Sequence, residues 1–262
     1  MLTGILLTTL AFIARSAVAI GAGLFASFRT DYGRSRRIYK IDVPKNQMTQ
    51  ELWTILKIIP FYSLAVALGH ALNLIHYSAF TTKGTLATVA ILFVWNETWF
   101  YAFHRLVHHR KFMRIHAAHH RSRITTPLTV SVFSFAEQTS HLLLAVSLPA
   151  VLSHYLPITF AGVVIYSVPM IVVNVLGHMN VEVYSSKAST SKIGKLFTTP
   201  TYHAIHHARV RGHYGLLTTI PDRLFGTFYE DYPVVQGRAA NGDGLTSLNE
   251  RAHLPSRASM AS

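Results

Sequence analysis

Apolar residues in this chain come in long unbroken runs, not in strict alternation or in stripes at helical spacing. Five runs stand out: 1–28, 53–80, 85–103, 138–155 and 158–177. Each is about as long as a helix needs to cross, or nearly cross, a hydrocarbon core roughly 30 Å thick. Arg15 alone breaks the first run. That run has no basic stretch ahead of it and is long for a signal-peptide core, so it reads as a retained membrane anchor. Two brief polar interruptions, Thr81–Gly84 and Ser153–Pro157, have the composition of hairpin turns. The pattern predicts an all-α protein with four to five transmembrane segments that include two hairpins, under a cytosolic histidine-rich helical cap. The expected organisation is an anchor segment with a basic loop (1–52), a membrane domain carrying the histidines (53–235), and a mobile polar tail (236–262). That tail is rich in Gly, Ala, Ser and Asn and shows no periodic apolar face.

Composition agrees with lipid as the main solvent. Of 262 residues, 50% are hydrophobic and only 13% charged, against roughly 25% charged in an ordinary soluble domain. The net charge of +13 would suggest nucleic acid in a soluble protein. In a membrane protein it marks the loops that stay cytoplasmic, so no nucleic-acid partner is expected. Arg29, Arg34, Arg36, Arg37, Lys40 and Lys45 all fall in the 29–52 loop. With that loop in the cytoplasm, the first hairpin returns the chain there at His104 and the second at His178. Every histidine cluster then lies on one face, at the cytoplasmic side of a bacterial inner membrane or of the endoplasmic reticulum.

Cysteine is absent and histidine abundant, with 16 residues against 11 Asp and Glu together. Disulfides and cysteine-based zinc sites are therefore excluded. Three clusters carry nine histidines: His104, His108 and His109; His116, His119 and His120; His203, His206 and His207. Positions three or four apart share a helix face, while adjacent ones diverge by about 100°. An HxxHH segment can thus point at two neighbouring ions. Neutral imidazole binds iron, zinc, copper or nickel well, whereas so many unliganded rings beside a membrane would each be costly to desolvate. His178 sits where the fifth run ends and is placed to contribute. His213 and His141 remain open as ligands or supporting groups. Glu97 lies inside the third run, two helical turns before His104; an ionisable group there is functional by default. It is the candidate catalytic carboxylate, able to orient a ligand histidine through its second nitrogen. Glu137 and Glu182 could do likewise, and Asp222-Arg223 reads as a local ion pair.

Together these motifs resemble the fatty acid hydroxylase/sterol desaturase superfamily. The matching stretches are Glu97–Arg121, His178–Glu182 and Thr199–Phe228, with Tyr202-His203-Ala-Ile-His206-His207, His213-Tyr214-Gly215 and Asp222-Arg-Leu-Phe-Gly-Thr227 the most specific. The resemblance implies a membrane oxidoreductase that hydroxylates or desaturates a lipid-like substrate with two non-haem irons and O2. Electrons would come from an external donor of ferredoxin or cytochrome b5 type, since no flavin, haem or iron–sulfur motif occurs in the chain. It also implies His104, His108, His116, His119, His120, His178, His203, His206 and His207 as the metal ligands. The chain departs from the family where Asn commonly precedes Tyr-Gly, which is His213 here, and at Ser134, where a histidine is usual. Two other readings compete. A zinc hydrolase would need a general base beside metal-bound water, yet no HExxH occurs. A metal transporter would place its ligands within the spans instead of at one face.

Overall fold

The computed structural model describes residues 2–253. Ten α-helices and two 3-10 turns carry the chain, and among the described residues there are only isolated β-bridges and no sheet. Four helices are long and apolar enough to cross a membrane: α1 (Leu2–Arg29), α3 (Gln47–Ala71), α4 (Thr82–Val107) and α7 (Phe160–His178). The short helix α2 (Asp31–Ser35) follows α1, and α5 (Met113–His120) follows α4. Helix α6 (Phe135–Leu152) is the fourth apolar run. It is not among the four spans, and its first two turns hold Glu137, Gln138 and His141, which shorten its apolar length. Beyond α7 come α8 (Pro200–Arg209), α9 (Ile220–Leu224) and α10 (Tyr232–Ala240), three short helices that form the cap.

Helices α4 and α7 begin alike. Thr81 and Thr159 sit in extended conformation at their N-caps, and each side chain accepts from the glycine three residues on, a capping arrangement that fixes where each helix starts. Between them Gly162 is required for close approach: a Cβ there would lie 2.5 Å from Thr88 Cβ. Helix α3 starts six residues before its apolar run, because Gln47 and Glu51 have buried polar work to do. Glu51 accepts from Gln47 Nε2, Ser122 Oγ, Thr126 Oγ1 and Thr129 Oγ1 at 2.5–2.8 Å. This ties α3 to the segment after α5 and so fixes the height of the second histidine cluster.

The basic loop after α1 is built into the cap. Ile38 and Tyr39 are fully buried, and Tyr39 exchanges two backbone bonds with the Asn180 amide, each 2.9 Å. They pack with Tyr202, Ile205, Tyr232, Val235, Ala239 and Leu245. Gln236, where the sequence suggests that a mobile tail begins, is instead buried inside α10, and Leu245 is fully buried. Small residues such as Ala239 and Ala240 pack without an apolar stripe to announce them. The remainder of that tail, 254–262, lies outside the described residues.

Replacing Glu51 with Ala leaves four buried donors without their acceptor. Breaking such a network costs about 3–5 kcal/mol. A thermal melt in detergent is expected to show a clearly lower midpoint for Glu51→Ala than for the wild type, and an unchanged midpoint would refute this role.

Candidate metal centre

Each histidine cluster rides on a helix end. His104 is in the last turn of α4 and His108 at its C-cap; His116, His119 and His120 lie on α5; His178 ends α7; His203, His206 and His207 lie on α8. The four ends converge. His104, His108, His116, His120 and His206 present ring nitrogens that all lie within 4.8 Å of one another, and so do His119, His178, His203 and His207. The two adjacent residues of each HxxHH segment go to different groups, as their angular divergence requires. All nine histidines expected as ligands are thus brought together, and His109 is left exposed outside both groups.

The hydrogen bonds decide which nitrogen faces inward. The Nδ1 atoms of His104, His206, His207, His178 and His119 lie 2.7–3.3 Å from the carbonyls of Tyr214, Gly212, Ser122, Asn174 and Val132. A carbonyl can only accept, so in these rings Nδ1 carries the proton and Nε2 carries the lone pair. His116 Nδ1 is held instead by the Glu137 carboxylate. The inward Nε2 atoms then meet one another: His206 and His120 at 3.0 Å, His207 and His203 at 3.1 Å, His203 and His178 at 2.9 Å, His178 and His119 at 3.4 Å. Lone pairs aimed together at this range repel unless a cation lies between them. Two ligands each about 2.0–2.1 Å from one ion would themselves be about 3.0–3.4 Å apart. His108 Nδ1 and Nε2 and His116 Nε2 are buried with no protein partner. The donor set therefore fits two metal ions held by neutral nitrogen.

Burial also keeps the rings in the binding form. It drives His116, His119, His120, His203, His206 and His207 well below the ordinary histidine value, with neighbouring imidazoles adding to the effect. Burial brings His108 down to about 2, with His104 beside it contributing. Neutral rings are the ones that bind metal.

The remaining candidates divide. Glu97 is buried, but its carboxylate accepts from Leu217 N, Thr218 N and Thr218 Oγ1 at 2.6–2.9 Å. It anchors the loop that follows Tyr214, and Tyr214 supplies the carbonyl for His104. Glu97 is therefore a positioning group and makes no hydrogen bond to a histidine. Glu182 does not orient a ligand either; it accepts from Thr199 Oγ1, Thr201 N and Thr201 Oγ1 and caps α8. Asp222 pairs with neither Arg223 nor any other cation among the described residues. It accepts from the Tyr202 hydroxyl, Tyr214 N, Gly215 N and Thr227 Oγ1, because the left-handed turn at Gly212 and His213 aims those groups at it. His141 and His213 belong to neither metal group. His213 donates from Nδ1 to Tyr202 O (3.1 Å), accepts from Tyr229 N at Nε2 (2.9 Å) and stacks 3.6 Å from the Tyr202 ring. At φ +57° it does what an asparagine can do there: tolerate the left-handed turn while donating once and accepting once.

Sequence reasoning had no signal for the five carbonyl acceptors, since every residue has one. The apolar segments do enclose a path to the site, as their character suggests, and of the aromatic residues Phe100, Tyr101 and Phe103 at the end of the third run only Phe100 lines it. An apolar cavity of about 990 Å³ lies between α1, α3, α4, α6 and α7. His104, His116, His119, His178 and His203 line its metal end, with Trp99, Phe100 and Phe133 beside them.

Comparison with known proteins bears on this arrangement. The sequence model described as fatty acid hydroxylase matches residues 89–227, which contain all nine converging histidines. The chain is 30% identical over 165 residues to very-long-chain aldehyde decarbonylase CER1 of Arabidopsis thaliana, covering 60% of this chain and 26% of that protein. It is 28% identical over 193 residues to very-long-chain aldehyde decarbonylase GL1-7 of Oryza sativa subsp. japonica, covering 66% and 30%. With protein CER1-like 1 of Arabidopsis thaliana it shares 32% over 135 residues, covering 50% and 21%. The chain thus matches less than a third of the length of these relatives. No solved structure matches it.

Two measurements follow from this geometry. His206→Ala is expected to lower bound transition metal by at least one ion per chain, read by elemental analysis, while His213→Asn retains it. His213 also predicts a pH dependence. Burial lowers its folded value to about 3, so the unfolded chain binds a proton that the folded chain refuses. Its contribution is whole above about 6.5 and is lost as pH falls towards 3, at up to about 1.4 kcal/mol per pH unit. Unfolding midpoints between pH 7.5 and 5.5 are expected to fall less steeply in His213→Asn.

Proposed function

The chain belongs to the fatty acid hydroxylase family, and from that premise we propose that it hydroxylates a lipid-like substrate with O2 at two non-haem iron ions held by its nine inward histidines. The observation that carries this reading is the continuity between the two imidazole groups and the large apolar cavity between the membrane helices. A centre that opens onto a lipid-shaped space has lipid C–H bonds as its natural target. When bound, the two irons supply the activation of O2 needed to attack an unactivated C–H bond, with electrons from an external ferredoxin- or cytochrome b5-type donor.

The protein's own residues do the rest. The Nδ1–H bonds to backbone carbonyls hold His104, His119, His178, His206 and His207 each in one tautomer and one direction. Glu137 fixes His116 and adds the one carboxylate that contacts a ligand ring. Trp99, Phe100 and Phe133 wall the metal end of the cavity and exclude water from the reacting carbon. His141 packs against Phe100, Phe103 and Phe133 and lines the same wall without entering either group. The positive loop after α1 places the cap and its histidines on the cytoplasmic side.

One observation supports a second reading: two of the relatives named above, CER1 and GL1-7, are very-long-chain aldehyde decarbonylases. An aldehyde substrate would place its oxygen-bearing end, not a chain carbon, at the metals. Lipid extracts from cells making the wild type or His206→Ala separate the two. A gain of one oxygen in one lipid class, absent with His206→Ala, is the expected result. Loss of a long-chain aldehyde with appearance of a hydrocarbon would favour the second reading, and identical lipid profiles would refute both.

A further inference from the structure

Arg15 is the only charged residue within the first 28 residues, and it is deep. Ser27, 12 residues further along α1, donates to Met179 O next to the metal-site His178. At ~1.5 Å per residue, Arg15 therefore lies about 18 Å along the helix from the metal level. Helix α3 gives the same depth. Tyr62 lies 11 residues beyond Glu51, or about 16 Å, and Glu51 is bonded to Ser122 beside the second histidine cluster. Tyr62 meets Phe12 edge to face at 6.4 Å, and the Arg15 guanidinium lies 4.6 Å from the Phe12 ring. The two helices thus bring a cation and a phenol to one station far from the metals.

Both side chains line the apolar cavity. Arg15 forms no ion pair among the described residues, and its Nε is buried without a hydrogen-bond partner. A guanidinium at this depth is costly unless something accepts its protons. The Phe12 face offsets part of that cost but accepts no N–H. Phospholipid phosphates lie at the bilayer surface, so they cannot serve here. A single-chain lipid inside the cavity can bring an anion to this depth, and a carboxylate matches the planar fork of arginine with two parallel bonds.

We propose that Arg15, with Tyr62 beside it, is the head-group station of the cavity: it binds the carboxylate of a long-chain fatty acid whose chain runs from there to the histidine groups. Resting on the oxidative reading above, this also says which carbon is presented. A fully extended chain covers about 1.2 Å per bond (3.3–3.6 Å for three backbone bonds). The metal end is then roughly 14–15 bonds from the carboxyl carbon, so oxygen is delivered to the distal part of the chain. The opposite orientation would run methylenes past a bare guanidinium, whose protons they cannot accept.

Binding and product position test this separately. Purified full-length protein in nanodiscs is titrated with a fluorescent polyene fatty acid, and hexadecanoic acid, its methyl ester and its aldehyde compete for the site. The wild type is expected to prefer the acid over the ester by roughly tenfold or more, the scale of a charge-assisted hydrogen bond. Arg15→Gln is expected to lose that preference, and Arg15→Lys to keep part of it. Unchanged metal content in both variants shows that they are folded. A wild type that prefers the aldehyde or the ester, or an Arg15→Gln that still prefers the acid, overturns the proposal. This arm needs no turnover, so it stands even if the oxidative reading fails. In the turnover arm, oxygen on carbons near the methyl end supports the station, and oxygen next to the carboxyl refutes the orientation.

Discussion

Five of the nine converging imidazoles give their Nδ1 protons to backbone carbonyls, and a sixth is held by Glu137. That constraint turns a crowd of histidines into a directed donor set. Without it each ring could flip or change tautomer, and the inward nitrogens would sit at random. With it, lone pairs meet at about 3 Å, a geometry that only cations relieve. The rest of the structure serves to bring those carbonyls to the right places.

They come from widely separated parts of the chain. Ser122 and Val132 flank the segment fastened to Glu51. Gly212 and Tyr214 belong to a left-handed turn gathered around Asp222 and braced by Glu97 through the following loop. Asn174 lies one helical turn before the ring it serves. Four of the carboxylates buried near the site therefore act at one remove: Glu97, Glu182 and Asp222 hold backbone amides, Glu51 holds three hydroxyls and the Gln47 amide, and the segments so fixed carry the imidazoles and their carbonyl partners. Only Glu137 touches a ligand ring directly. Anions are few in this chain, and most of those placed near the imidazole groups are spent on positioning, which leaves the inward nitrogens to neutral imidazole.

The cap and the membrane helices answer to different solvents. Apolar helix faces stay exposed to lipid, while polar and small residues line the helix contacts, as Gly162 against Thr88 shows. The cap follows soluble-protein rules, with a compact core around Tyr202, Ile205 and Tyr232. The two imidazole groups sit at the seam between them, with an apolar cavity between the membrane helices on one side and the polar cap on the other.

The sequence by itself determined the long apolar spans, the absence of cysteine chemistry, and the nine histidines that converge. Run length and one-turn spacing are local properties, so they can be read without coordinates. Only the tertiary structure decided how the nine divide into five and four, that His213 and His141 stand outside both groups, and that Glu97 braces a loop. It also decided that Gln236 to Leu245 belong to the core, although their composition suggests a tail. In each case the deciding partner is a backbone carbonyl, an amide or a small side chain far along the chain. Such groups are present at every position, and only folding selects which of them is used.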